Sequence, residues 1–257
     1  MFNPYKSTAK LGAWAIDKVS SFGESVLFIL LTICGTVRFR GTIKQIYNIG
    51  VQSIIIIGVS ALFIGFVLGL QGYYTLAKFS AQSALGPMVA LSVLRELGPV
   101  ITALLVAGRS GSALTSEIGL MKATEQLASL NMMGVDPIRF IVSPRFWAGI
   151  ISMPLLNIIF CAIAIYGGYI VGVDMLGLYY GTFWGNMQSS VTMHDITNGI
   201  IKSFAFGIAV TWTAIYQGYS CQPNSEGIAK ATTKTVVYAS LLILGLDFIL
   251  TAVMFKE

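Results

Sequence analysis

Long runs of residues without a charged side chain constrain this sequence more than any other feature. Residues 45–77 carry no charge, and the segment 50–72 would form about 34 Å of helix, enough to cross a bilayer core of about 30 Å. Four further apolar runs cover 84–108, 146–173, 196–219 and 236–255, with few charges inside them. The pattern predicts an all-α integral membrane protein with five transmembrane helices.

Composition excludes several other classes. Charged residues make up 11% of the 257 residues, whereas soluble domains carry about 25%. An ordinary soluble enzyme and a disordered protein are therefore excluded. The three cysteines, Cys34, Cys161 and Cys221, are far apart and form no CxxC pair, so we expect neither a disulfide framework nor a metal site. The net charge of +5 is not concentrated in a basic run with aromatic residues, so nucleic-acid binding is not expected.

The first 45 residues differ from the rest of the chain. Charges interrupt them, and the uncharged stretch 26–37 is too short to span a bilayer, which needs about 20 residues. We therefore expect an N-terminal interfacial helix, or elbow, within 1–45 and a transmembrane domain over 46–257.

Basic residues predict the orientation, because lysine and arginine collect in cytoplasmic loops. With a cytoplasmic N-terminus and five spans, twelve of the sixteen basic residues fall on the cytoplasmic side. Only Lys78 and Lys256 fall outside, and the other two lie within spans. The C-terminus is then on the outer side of the membrane.

The loop after the second span predicts an amphipathic cytoplasmic helix over about 116–134. Leu120 and Leu127 recur at helical spacing, and Gly134 is placed to end the helix. Two interpretations remain open: a helix that rests on the membrane surface, and a helix that docks into a soluble partner.

Four charged residues lie inside or at the edge of apolar runs: Arg95, Glu96, Lys202 and Asp247. A charge in the bilayer centre costs about 2.5–3.5 kcal/mol, so each of them needs a partner or water. Arg95 and Glu96 are adjacent and point about 100° apart on a helix, so they cannot pair with each other. They either form structural ion pairs or face a polar cavity, with Asp247 as a counter-ion for one of the cations.

Such a cavity could also have apolar walls. Candidates at the outer end of the first span are Leu68, Leu70, Leu76 and Phe79. The alternative for each of them is ordinary packing or contact with the surrounding lipid.

Several long motifs resemble the MlaE family of ABC-transporter permeases. These motifs are RELGP at 95–99, AGRSGSALTSEIGLMKATEQL at 107–127, MGVDP at 133–137, SPRFWAG at 143–149 and LGLDFILTAVMF at 244–255. The resemblance extends over nearly all of the chain from about Ile46.

The resemblance implies a function and partners that composition cannot supply. Such permeases are homodimers in the bacterial inner membrane and move phospholipids between the inner and outer membranes, which maintains outer-membrane lipid asymmetry. Each works with a cytoplasmic ABC ATPase that binds ATP and Mg²⁺, a STAS-domain subunit and a periplasmic hexamer of MCE-domain subunits. A related alternative is an MCE-type importer of another lipid, such as a sterol.

The resemblance also implies roles for residues. Arg95, Glu96, Lys202 and Asp247 match positions at the substrate cavity or its supporting network. By this resemblance the cavity would receive a lipid head group, and its acyl chains would lie against the apolar candidates Leu68, Leu70, Leu76 and Phe79. The coupling helix that contacts the ATPase would include Glu117, Leu120, Met121, Glu125, Leu127 and Asp136. The chain has no GxxxxGK[ST] motif, so we expect a transport subunit that is not itself an enzyme and that holds no cofactor.

Overall fold

The computed structural model describes residues 39–254 together with Gly23, Phe28 and Thr32. Most of the predicted N-terminal interfacial helix lies outside these residues. The described part is helical, without a strand. Its helices are α1 (Phe39–Ile49), α2 (Ile54–Ala77), α3 (Gln82–Ala123), α4 (Gln126–Met132), α5 (Ile138–Met175), α6 (Tyr180–Ser190), α7 (Met193–Ser220) and α8 (Ser225–Met254).

Five helical segments are long and apolar enough to cross a membrane, which confirms the predicted all-α membrane fold. They are Gly41–Ala77, which includes α1 and α2, and then α3, α5, α7 and α8. Sequence alone started the fourth span at Ile196. The structure starts α7 three residues earlier, because Thr192 and Asp195 form a capping box that extends the helix beyond its apolar run.

Close contact between α2 and α5 depends on glycine. A Cβ atom at Gly65 would lie 2.1 Å from the carbonyl oxygen of Ala164, and one at Gly69 would lie 3.0 Å from that of Gly168. The two backbones can approach this closely only because both positions lack a side chain. The Gly65/Gly69 pair is therefore a true helix contact.

The helix α3 is much longer than a membrane requires. Its 42 residues correspond to about 63 Å, roughly twice the thickness of a bilayer core. Its last segment, Ser112–Ala123, packs against α7 and α8 at the end of the bundle that carries Lys122, Arg139 and Lys230, which we call the basic end. The loop predicted to start a new helix is thus partly a continuation of the second span.

The single coupling helix predicted over about 116–134 is wrong in its boundaries. The helix α3 continues to Ala123, and the chain then turns at Glu125, whose φ is 58°, before the short α4. The predicted end is confirmed, since Gly134 has a φ of 74° and closes α4. The helix breaks because the backbone at Glu125 is left-handed. No glycine or proline lies there from which the sequence could predict the break.

Candidate functional site

A π-helical turn at Val93–Leu97 places the charges of α3. Arg95 and Glu96 both lie in it, and they point to different neighbours. Turns of this type interrupt the regular ladder of a helix and are frequent at functional sites. Each of the two residues finds a separate partner, as their adjacency in the sequence required.

The backbone of α7 comes close to this turn at Gly199. A Cβ atom there would lie 2.5 Å from the carbonyl oxygen of Leu94. The contact brings Lys202, one turn further along α7, onto the π-helical turn. Its Nζ donates to the carbonyl oxygen of Arg95 at 3.0 Å and to Oε2 of Glu96 at 2.9 Å.

The helix α8 supplies the remaining partners of Lys202. Nζ donates to Oδ1 of Asp247 at 3.1 Å and lies 2.7 Å from Oγ1 of Thr251. The lysine side chain is only 1% exposed, whereas those of Glu96 and Asp247 are 37% and 22% exposed. We call Glu96, Lys202, Asp247 and Thr251 the lysine cluster. Its buried cation is balanced by carboxylates that reach toward the surface.

Arg95 forms the opposite arrangement with Asp195. Its guanidinium donates to Oδ1 of Asp195 at 2.6 Å, and its side chain is 35% exposed while that of Asp195 is 2% exposed. The other carboxylate oxygen of Asp195 accepts from the main-chain N–H and the hydroxyl of Thr192 at 2.9 and 2.8 Å. The anion is therefore buried and fixed, and the cation lies at the surface.

The structure thus brings all four predicted charged residues to one half of the bundle, away from the basic end. It pairs Asp247 with Lys202. Asp195 and Thr251 complete the network, although sequence reasoning missed both. The spacing of Thr192 and Asp195, which is that of a capping box, could have indicated the first of them.

The four apolar candidates of the first span do not share one environment. Leu68 and Leu76 pack against the core, while Leu70 and Phe79 are 45% and 77% exposed. Their role as walls for acyl chains stays a prediction. Beside the charged residues lies a different apolar groove of about 450 Å³, whose lining includes Leu94, Ile196 and Gly199.

The predicted coupling residues also separate. Leu120 is 57% exposed, Met121 is partly buried, and Glu125 and Asp136 are exposed. Leu127 is buried, so it is not part of an exposed stripe, and the exposed apolar side chains near it are Met132 and Met133. Glu117 accepts a hydrogen bond from Arg145 at 2.6 Å and is engaged within the bundle.

The sequence matches known permeases over most of its length. A family described as Permease MlaE matches residues 42–253. The chain is 58% identical to the "Intermembrane phospholipid transport system permease protein MlaE" of Haemophilus influenzae, over 95% of this chain and 96% of that protein. It is 36% identical to a "Probable ABC transporter permease protein" of Rickettsia bellii, over 96% of each chain.

A plant protein is more distant. The chain is 28% identical to "Protein TRIGALACTOSYLDIACYLGLYCEROL 1, chloroplastic" of Arabidopsis thaliana, over 91% of this chain and 66% of that protein. The bacterial matches and the family match cover the charged residues on α3, α7 and α8 as well as the helices that hold them. This chain is a multi-pass membrane protein that belongs to the MlaE permease family.

Proposed function

We propose that the chain is the membrane-spanning permease of an ATP-driven transporter that moves phospholipids between the inner and outer membranes and maintains outer-membrane lipid asymmetry. The observation that carries the proposal is the partly exposed guanidinium of Arg95, held by buried Asp195 in a membrane span. The Haemophilus influenzae relative is named as an intermembrane phospholipid transport permease, which supports the same substrate.

The charges suit a phospholipid head group. A guanidinium binds phosphate through two parallel hydrogen bonds, and Arg95 presents its cation at the surface of the bundle. Glu96, 37% exposed, is placed to meet the amine of phosphatidylethanolamine. Lys202 is buried, so its role is to hold Glu96 and Asp247 in position. The apolar groove beside Leu94 can receive part of an acyl chain.

A partner must hydrolyse ATP, because the sequence has no phosphate-binding loop of its own. The partner is a cytoplasmic ABC ATPase that binds ATP and Mg²⁺ and docks at the basic end. Exposed apolar side chains there, Leu120, Met132 and Met133, suit a helix that enters a groove. The basic end is then cytoplasmic, as is the N-terminus, and the C-terminus is periplasmic.

The permease works as a homodimer in the inner membrane. In the most apolar part of α8 only 11% of the residues are buried. Much of this helix is therefore available for contact with a second copy. A STAS-domain subunit on the cytoplasmic side and a hexamer of MCE-domain subunits on the periplasmic side complete the assembly. The four charged residues lie in the periplasmic half, where lipid would pass to or from the MCE subunits.

Reconstitution tests this function. The complex of the permease with its ATPase and MCE subunits, placed in vesicles, should transfer labelled phospholipid to acceptor vesicles only when ATP is present. Arg95→Ala should lower the transfer rate more than Lys78→Ala, which removes an exposed cation near the end of α2. Equal transfer by wild type and Arg95→Ala would remove the head-group role. Mass spectrometry of the co-purified lipid decides the cargo: phospholipid is expected, and a sterol would indicate an importer of another lipid.

A further inference from the structure

The last segment of α3, Ser112–Ala123, presents different faces to different spans. We call it the lever segment. Thr115 and Lys122 are seven residues apart and lie on one face of the helix, because seven residues make nearly two full turns. Glu117 is about 200° away from Thr115 and lies on the opposite face. The lever segment therefore has polar groups on two opposed sides.

One face is joined to α7 and α8. The hydroxyl of Thr115 lies 2.9 Å from the carbonyl oxygen of Ala214 in α7 and 2.9 Å from Oγ1 of Thr235 in α8. The ammonium of Lys122 donates to the carbonyl oxygens of Tyr219 and Cys221 at 2.7 and 2.9 Å. These carbonyls lie at the C-terminal end of α7, where a cation is stabilised by the helix dipole.

The other face is joined to α5. Nη2 of Arg145 donates to Oε1 of Glu117 at 2.6 Å, and Nη1 donates to the carbonyl oxygen of Ile141 at 2.9 Å. The Arg145 side chain is 8% exposed, while that of Glu117 is 43% exposed. Nε of Arg145 is buried without a hydrogen-bond partner among the described residues. Among the described residues, Glu117 is the one carboxylate paired with the Arg145 guanidinium.

This pairing makes the contact directional. Contacts between apolar side chains hold no charge that must stay paired. The Arg145 cation is buried, and a shift that separates it from Glu117 leaves it without that carboxylate. A movement of the lever segment must therefore carry the start of α5 with it.

We propose that Arg145, through Glu117, and Lys122 are positioning residues that transmit movement from the ATPase-docking surface to α5 and α7. The inference rests on the proposed function, since it assumes an ATPase at the basic end. The docking surface at Leu120, Met132 and Met133 flanks the turn at Glu125 and is joined directly to the lever segment. Arg145 lies on α5 and touches the bundle rather than that surface, so it acts after docking.

The test measures how much lipid is transferred for each ATP hydrolysed, in vesicles that contain the full complex. Arg145→Met suits the site, because methionine fills the buried volume and the partly exposed Glu117 can be hydrated. We expect the ratio of lipid transfer to ATP hydrolysis to fall about fivefold or more, with ATP hydrolysis itself little changed. Arg145→Lys keeps the ion pair and should recover most of the ratio.

A control variant removes an exposed ion pair within one helix instead of an ion pair between two helices. Glu226→Gln breaks the exposed Lys230–Glu226 pair on α8 and should leave the ratio at the wild-type value. The inference is overturned if Arg145→Met keeps the wild-type ratio, or if the complex no longer assembles and both activities vanish together. A wild-type complex that hydrolyses ATP without any lipid transfer would instead overturn the proposed function, and the inference with it.

Discussion

The two charged groups attached to the π-helical turn of α3 are built in opposite ways. In the lysine cluster the cation is buried, at 1% exposure, and the carboxylates reach the surface. In the Arg95–Asp195 pair the carboxylate is buried and the cation is 35% exposed. Two consecutive residues of one turn, Arg95 and Glu96, therefore belong to a pair with a buried anion and a cluster with a buried cation.

We interpret the lysine cluster as structural and the Arg95–Asp195 pair as the proposed ligand contact. A buried cation with four oxygen partners has no capacity left for a phosphate, so the lysine cluster fixes α7 and α8 against α3. Arg95 is 35% exposed and is held by the buried carboxylate of Asp195, an arrangement that suits the proposed contact with a phosphate.

The largest loss of stability should come from removing the two negative charges beside Lys202. The double variant Glu96→Gln, Asp247→Asn keeps the shape of the cluster but leaves a buried ammonium without an anion. We expect a loss of about 3–5 kcal/mol in stability, seen as a lower thermal unfolding midpoint in detergent. Adding Lys202→Met to the double variant should restore most of the stability, because no buried charge then remains. A double variant as stable as wild type would contradict the structural role of the cluster.

Arg95→Gln should show the reverse behaviour. Asp195 keeps its two hydrogen bonds from Thr192, so the unfolding midpoint should shift less than in the double variant. Loss of a charge-assisted hydrogen bond to phosphate, about 1.5–3 kcal/mol, should lower lipid transfer about tenfold or more. Transfer is measured between vesicles, with Lys78→Gln as the matched control. Suppose that Arg95→Gln unfolds as readily as the double variant and that its lipid transfer per folded protein is normal. Arg95 would then have a structural role and not the proposed role in binding phosphate.

A smaller effect should follow from Thr251→Val, which removes one neutral partner of Lys202. The remaining oxygens still balance the charge, so we expect a loss of about 1 kcal/mol in stability and no large change in transfer. The control is Thr233→Val on the same helix, whose exposed hydroxyl donates to the main-chain carbonyl of Ala229. Equal unfolding midpoints for the two variants would remove Thr251 from the lysine cluster.

Much of this arrangement could be predicted from the sequence, because membrane spans leave a strong signal. Long apolar runs predict the spans. The few charged residues within them, Arg95, Glu96, Lys202 and Asp247, are the ones that need partners. Asp247 could be proposed as a counter-ion because few other anions lie inside apolar runs.

The missed features depend on contacts between distant residues or on backbone shape. Asp195 precedes its apolar run, and helix capping draws it into α7. Glu117 looked like part of a docking surface, because its partner Arg145 lies 28 residues away and helical periodicity carries no information about it. The turn at Glu125 has a left-handed backbone at an ordinary residue, which leaves no mark in composition.

The distance between the Arg95 guanidinium and a lipid phosphorus atom tests directly whether Arg95 binds the phosphate. Solid-state NMR can measure it in membranes, with ¹⁵N-labelled arginine and the natural ³¹P of phospholipid. The account predicts a nitrogen-to-phosphorus distance of about 4 Å, as for a hydrogen-bonded arginine–phosphate pair, and loss of that signal in Arg95→Gln. A ¹⁵N–³¹P signal that is unchanged in Arg95→Gln would contradict it.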